Sequence, residues 1–189
     1  APLLAVDEIR LPGEHNLENA MAAAAACLAR GLDPAAVAEG LRTFPGVAHR
    51  LELVAERGGV SYVNDSKATN VASTLVALRS YERGVHLIAG GLGKDQDFAP
   101  LAPAVGERCA GVYLIGRDAR QIERALADTG VALHDCGSLE RAVAQATSAA
   151  RAGDVVLLSP ACASFDQFRD FEARGERFRE LVQALGGER

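Results

Sequence analysis

Apolar positions along this chain follow two patterns, and the change comes near residue 47. Ahead of it, Leu3 to Leu11 alternates apolar and polar residues, which predicts a strand, and Pro12-Gly13 predicts the turn that ends it. The Ala-rich run from His15 to Arg30 has high helix propensity, and Gly31 is placed to stop it. Asp33-Pro34 pairs a capping side chain with a proline at the first helical position, so a second helix is expected to reach about Thr43 before Pro45-Gly46 breaks it.

Beyond the break, short apolar runs alternate with helix-forming stretches. Leu51 to Glu56 and Val60 to Val63 flank Gly58-Gly59 and predict a hairpin. Val85 to Ala89, Val112 to Ile115, Val131 to His134 and Val155 to Leu158 are apolar runs bounded by Gly, Asp or Ser, as expected of strands buried on both faces. Helices are expected between and after them, near Ala72 to Ser80, Leu101 to Arg108, Ala119 to Ala127, Leu139 to Arg151 and Gln167 to Leu185. Strand and helix in alternation make right-handed crossover units, so the expected fold is α/β: a mostly parallel, doubly wound, Rossmann-like sheet over residues 47–189, preceded by a small helical portion over residues 1–46.

Composition narrows the function classes. Apolar residues make up 49% and charged residues 24%, which suits a packed globular chain, while only 5% aromatics and no Trp leave the core to Ala, Val and Leu. A net charge of −5 gives no general attraction for nucleic acid or an anionic membrane. No apolar run is long enough for a membrane span, and the N-terminus has no basic region followed by an apolar one. Cys27, Cys109, Cys136 and Cys162 are scattered, without zinc-site spacing, and read as reduced thiols of a cytoplasmic protein. The first residue is Ala1 rather than Met, which fits a start inside a longer gene product.

In parallel sheets ligands bind beyond the carboxyl ends of the strands, so the loops there carry the chemistry. After Val63 comes Asn64-Asp65-Ser66-Lys67-Ala68-Thr69-Asn70, polar at nearly every position. Its Asp could accept from ribose hydroxyls or hold a hydrated metal, its Lys could neutralise phosphate, and its hydroxyls could bind an anion beside free helix amides; a helix-capping loop with solvated charges is the alternative. After Ala89 comes Gly90-Gly91-Leu92-Gly93-Lys94-Asp95, which is neither GxxxxGK[ST] nor GxGxxG; alone it reads more as a glycine-rich turn than as a binding loop. After Leu158 comes Ser159-Pro160-Ala161-Cys162-Ala163-Ser164-Phe165-Asp166-Gln167-Phe168, whose small residues leave room for a ligand and whose hydroxyls suit a carboxylate. Cys162 has no nearby His motif to activate it, so a buried structural thiol is the better reading. In the N-terminal portion, Asn16 and Asn19 share a helical face and could meet a purine edge, with N-capping by Asn16 as the competing explanation. Arg50 sets a guanidinium at the junction, suited to stacking on a base or to phosphate.

Taken in order, GEHNLEN (13–19), FPGVAHR (44–50), NDSKATN (64–70), GGLGKDQDF (90–98) and SPACASFDQF (159–168) resemble the Mur ligases of peptidoglycan synthesis. NDSKATN and the last string point to the glutamate-adding branch. The resemblance covers nearly the whole chain and implies an ATP-dependent, ADP-forming acid–amino-acid ligase that joins D-glutamate to UDP-N-acetylmuramoyl-L-alanine through an acyl phosphate. It further implies that Asn16 and Asn19 contact adenine, that Arg50, Asp65 and Lys67 lie around ribose and phosphates, and that Thr69, Lys94, Ser164 and Phe171 surround D-glutamate. Residues 1–46 would be the last part of a central ATP-binding domain. That domain's GKS/T loop, acidic residue, His and modified Lys, which hold ATP and magnesium in the family, have no counterpart in this sequence. The expectation is therefore a C-terminal half that binds the amino acid and part of the nucleotide, has no metal site of its own, and is inactive without the upstream domains. A stand-alone, non-catalytic module for a nucleotide or acidic amino acid is the alternative, and a sister ligase for another amino acid is a third reading.

Overall fold

A computed structural model describes residues 2–9, 11 and 13–186. The chain forms two compact units, Ala1–Val47 and Ala48–Arg189.

In the first unit, α1 (Glu14–Ala29) and α2 (Pro34–Thr43) are joined by a short turn. Gly31, at φ 81°, donates to Leu28 O while Leu32 donates to Cys27 O, so the left-handed glycine satisfies two end carbonyls of α1. Asp33 caps α2 by accepting from the Ala35 N–H, with Pro34 at the first position. The strand expected over 3–11 does not form among its described residues. Val6–Glu8 instead make a single 3-10 turn, because the Glu8 carboxylate reaches back to the Ala5 N–H and forward to the Arg42 guanidinium. Residues 10 and 12 of that expectation lie outside the described residues.

The second unit is built on a six-stranded sheet in the order β1-β2-β6-β3-β4-β5. Its strands are β1 (Glu52–Arg57), β2 (Val60–Asn64), β3 (Val85–Gly90), β4 (Cys109–Ile115), β5 (Leu133–Gly137) and β6 (Val155–Leu158). Gly58 and Gly59 take φ of 57° and 79°, the paired positive values of a tight hairpin turn, so β1 and β2 are antiparallel. Every other pairing is parallel. Helices α3 (Val71–Arg79), α4 (Ala102–Arg108) and α5 (Ala119–Leu126) supply Leu78, Val105 and Ile122 to the core on one face. Helices α6 (Leu139–Ala149) and α7 (Phe171–Ala184) supply Leu139, Val143, Phe178 and Val182 to the other. Central β3 and β6 are buried along their whole length; β6 is apolar throughout, and His86 of β3 pairs its ring nitrogens with Tyr113 and Asp154.

Several boundaries differ from the pattern-based expectation: β4 starts at Cys109 rather than Val112, and α6 ends at Ala149 rather than Arg151. The edge strand starts at Leu133 rather than Val131 and runs through polar residues to Gly137, because an edge strand with one exposed face needs no continuous apolar run. The last helix starts at Phe171 rather than Gln167. Asp170 caps it by accepting from Ala173 N–H, and residues before it are held in a turn closed by Gln167 and Phe168 N–H donating to Ser164 O.

The crossover from β5 through α6 returns the chain to the middle of the sheet, and β6 enters between β2 and β3. Helices that follow β2 and β3 pack on one face, and the helix that follows β6 packs on the other. The carboxyl end of β6 is thus the topological switch point of the sheet, where ligands of such folds bind. The backbone there leaves no room for side chains: a Cβ at Gly90 would run into the Ile115 carbonyl, and one at Gly91 into the Ala163 carbonyl. Gly90→Ala is expected to destabilise the fold by at least about 3 kcal/mol. Gly137→Ala, also at positive φ but in open space, should cost only about 1 kcal/mol. Urea unfolding of the two variants measures the contrast, and equal losses would show that the close approach is not real.

Candidate functional site

Three loops leave the sheet side by side at this switch point and are laced together. The loop after β6 lies between the other two. Ser159 donates its hydroxyl to Asp65 Oδ2 at 2.8 Å, and the Asp65 N–H donates to Leu158 O, tying it to the loop after β2. On its other side Leu92 and Ala163 exchange both backbone hydrogen bonds at 2.9 Å, and Gly90 N–H donates to Pro160 O, tying it to the loop after β3. Gln96 joins all three segments: its Oε1 accepts from Val71 N–H at 2.9 Å, and its Nε2 donates to Ala161 O at 2.6 Å.

Backbone strain collects here. Among the described residues, the non-glycine positions with positive φ are His49, Leu51, Lys94, Asp95 and Ala161. Lys94, Asp95 and Ala161 lie within the loops, and His49 and Leu51 bond to the first of them, His49 O accepting from Lys67 N–H and Leu51 N–H donating to Asp65 Oδ1. Each such residue costs about 1–2 kcal/mol and persists only where its surroundings over-determine it. His49 and Asp95 are of types that enter this region more readily, whereas Leu51, Lys94 and Ala161 carry no residue-type signal in the sequence.

The side chains singled out from the sequence divide as follows. Asn16 and Asn19 lie in α1 of the first unit; Gly13, not Asn16, occupies the N-cap position, so the capping explanation for Asn16 does not hold. Arg50, Asp65, Lys67, Thr69, Lys94, Ser164 and Phe171 all belong to the second unit. Lys67 Nζ sits 4.4 Å from the centroid of the Phe171 ring, and Ser66 donates its hydroxyl to Phe171 O at 2.8 Å. That cation–π contact brings the loop after β2 onto the first residue of α7. Ser164 is 2% exposed, and its hydroxyl has no hydrogen-bond partner among the described residues. A buried hydroxyl left in that state costs roughly 1–3 kcal/mol, which a ligand's acceptor would recover. Lys94 and Arg50 are exposed, and Thr69 and Phe171 are half-buried.

Cys162 is fully buried and burial pushes its thiol up to about 12, so it stays protonated and serves packing. Among the described residues no group of three His, Cys, Asp or Glu side chains is arranged to hold a metal ion. No helix among them is long and apolar enough to cross a membrane.

The sequence and the fold of this chain are matched by known proteins. The model of the family described as "Mur ligase, glutamate ligase domain" aligns with residues 49–162, a stretch that contains the loops after β2 and β3 and reaches Cys162 in the third. The chain belongs to the Mur ligase family. Among Mur ligase relatives, the UDP-N-acetylmuramoylalanine–D-glutamate ligase of Ralstonia nicotianae is 51% identical over 187 residues, which is 99% of this chain and 38% of the relative. The corresponding ligase of Myxococcus xanthus is 53% identical over 175 residues, 93% of this chain and again 38% of the relative. The chain therefore spans well under half the length of these relatives. Solved structures share the fold: UDP-N-acetylmuramate-alanine ligase of Thermotoga maritima superposes with a TM-score of 0.70 at 20% identity, covering 94% of this chain and 40% of that one. Mycobacterium tuberculosis folylpolyglutamate synthase complexed with ADP gives 0.63 at 19% identity, covering 90% and 41%.

Among the loops of this Mur ligase chain, Asp65 is the carboxylate with the most perturbed acidity. Burial pushes its carboxyl up to about 6 from 3.8, against the downward pull of the Ser159 hydroxyl, the Leu51 N–H and the Arg50 charge. Between those two values the unfolded chain has released the proton and the folded chain retains it, so the stability that Asp65 contributes is present below about pH 4 and is lost as pH rises to about 6. The loss is on the order of 3 kcal/mol. Asp65→Asn keeps an acceptor for Leu51 and a partner for Ser159 but does not titrate. Urea midpoints measured from about pH 4 to about pH 7 should rise for the variant relative to the parent chain as pH increases; parallel profiles would mean that the carboxylate is better solvated than its burial indicates.

Proposed function

We propose that the second unit receives D-glutamate, and that its Arg50, Asp65 and Lys67 meet the ribose and phosphates of the nucleotide, in an ATP-dependent ligase that joins D-glutamate to UDP-N-acetylmuramoyl-L-alanine. The observation that carries this reading is the lacing of three post-strand loops at one rim around a buried, unpartnered Ser164 hydroxyl. D-glutamate is a diacid with one amine. Lys94 offers it a cation, Thr69 and Ser164 offer hydroxyls to its carboxylates, and Phe171 offers an aromatic wall to its methylene carbons. The Lys67–Phe171 contact supports a shared border: the lysine assigned to phosphate rests on the ring assigned to the amino acid, so an amine bound at the rim would lie next to the phosphate end of the nucleotide.

Arg50 and Lys67, both exposed, are suited to the ribose and phosphates. Asp65, two residues before Lys67, has each oxygen already accepting one intrachain bond, which leaves its remaining lone pairs for a ribose hydroxyl. In the first unit Asn16 and Asn19 would read adenine, and residues 1–46 would be the end of the central nucleotide domain. Magnesium does not fit the donors present here: the one buried carboxylate of the loops is engaged by a hydroxyl and an amide, and no acidic cluster stands beside it among the described residues. The metal's ligands would come from the upstream domain. Chemically, the second unit contributes orientation of the amine and positive charge near an acyl phosphate formed on the other substrate, and closure of the full-length enzyme would exclude water from that intermediate. Peptidoglycan precursor synthesis in the cytoplasm is the setting these substrates imply.

Titration of the 15N-labelled chain with D-glutamate tests the reading. Amide resonances of Thr69, Lys94 and Ser164 should move together and saturably, with L-lysine producing no such response. Shifts confined to other surfaces, or equal response to both amino acids, would contradict it.

A further inference from the structure

Arg174, on the first turns of α7, is the largest fully buried side chain among the described residues, at 1% exposure. Its guanidinium has no carboxylate at ion-pair distance among them; Asp166 acts on it only at longer range. The partners are neutral oxygens. Nε donates to Ser66 Oγ at 2.9 Å, one terminal nitrogen to Ser66 O at 2.8 Å, and the other to Cys162 O at 3.1 Å. Ser66 sits in the loop after β2, between Asp65 and Lys67, and Cys162 in the loop after β6, two residues before Ser164. One rigid planar group therefore spans both loops from beneath.

Taking a cation out of water costs several kcal/mol unless an anion compensates it, and neutral carbonyls compensate only in part. Burial accordingly holds the Arg174 pKa down to about 10, yet the group remains charged at neutral pH. Loop bridging alone does not call for a charge. Gln96 shows as much: it ties the same region together with a neutral amide. What a fixed cation without an ion-pair partner adds is a positive potential at the Cys162 carbonyl, two residues before the buried, unpartnered Ser164 hydroxyl.

We propose that Arg174 is a positioning residue whose buried positive charge, fixed beneath the Ser66 and Cys162 loops that it bridges, favours the carboxylate end of the amino acid at Ser164. The proposal rests on the amino-acid reading of this rim. It gives Arg174 an influence without direct contact, in contrast to Lys94, which is exposed to water.

Two substitutions separate charge from shape. Arg174→Lys keeps the charge and loses the fork; Arg174→Gln keeps donors and loses the charge. D-glutamate affinity of each chain is measured by amide-shift titration, with the dispersion of the ligand-free spectrum and the unfolding midpoint recorded alongside. The lysine variant should bind within about 3-fold of the parent and the glutamine variant about 10-fold or more weaker, the size of one lost charge-assisted interaction. Raising the salt concentration should narrow the gap between them little, because the charge is buried. Equal losses in both variants, or an undiminished affinity in the glutamine variant, overturn the proposal. If the glutamine variant does not fold, the lysine variant decides: retention within about 3-fold supports the role and a loss of about 10-fold refutes it. A parent chain that shows no D-glutamate response fails the underlying reading of the rim, and the role of Arg174 falls with it; a parent that binds while both variants bind equally well fails Arg174 alone.

Discussion

The entry of β6 between β2 and β3 is the constraint from which the site follows. A strand paired in parallel on both sides must deliver its following loop between the loops of its two neighbours, and here that loop is the Ser- and Ala-rich segment 159–168. Because the chain leaves β6 toward the opposite face from β2 and β3, the carboxyl end of β6 is the topological switch point of the sheet. The small residues matter at this point. Gly91 and Ala163 approach too closely to admit a side chain at Gly91, and the antiparallel bridge between Leu92 and Ala163 depends on that approach. Folding the sheet and building the rim are the same event.

Several features along this edge cost stability. Left-handed backbone at Lys94, Asp95 and Ala161, a carboxyl buried at Asp65, an unpartnered hydroxyl at Ser164 and a guanidinium at Arg174 held by neutral oxygens are each unfavourable in isolation. The rest of the sheet offsets them through two apolar layers whose residues are buried almost completely. A rim strained in the absence of ligand needs little rearrangement when one arrives, which is the energetic sense of preorganisation.

Much of this architecture is legible in the sequence because buried parallel strands and their helices leave unbroken apolar runs and capped polar starts. Val155–Leu158 and the Gly58-Gly59 hairpin stand where those signals put them. The edge strand starts two residues later than its apolar pattern suggests because half its side chains face water, and the alternation at 3–11 gives way to a 3-10 turn held by Glu8 and Arg42. Loop 64–70 declares its chemistry by composition. Arg174 does not, since an arginine in an amphipathic helix with two other arginines reads as solvated, and only the fold shows it buried. Gln96 is equally silent: its two bonds join segments 25 residues before it and 65 after it in sequence.

Whether the three loops stand assembled at one rim before any ligand binds is tested most directly by nuclear Overhauser contacts in the ligand-free chain. Preassembly predicts contacts between the Leu92 and Ala163 backbones, together with ring-current-shifted Lys67 side-chain protons that show contacts to the Phe171 ring. Random-coil shifts for Lys67 and no contact between the loops after β3 and β6 would contradict it.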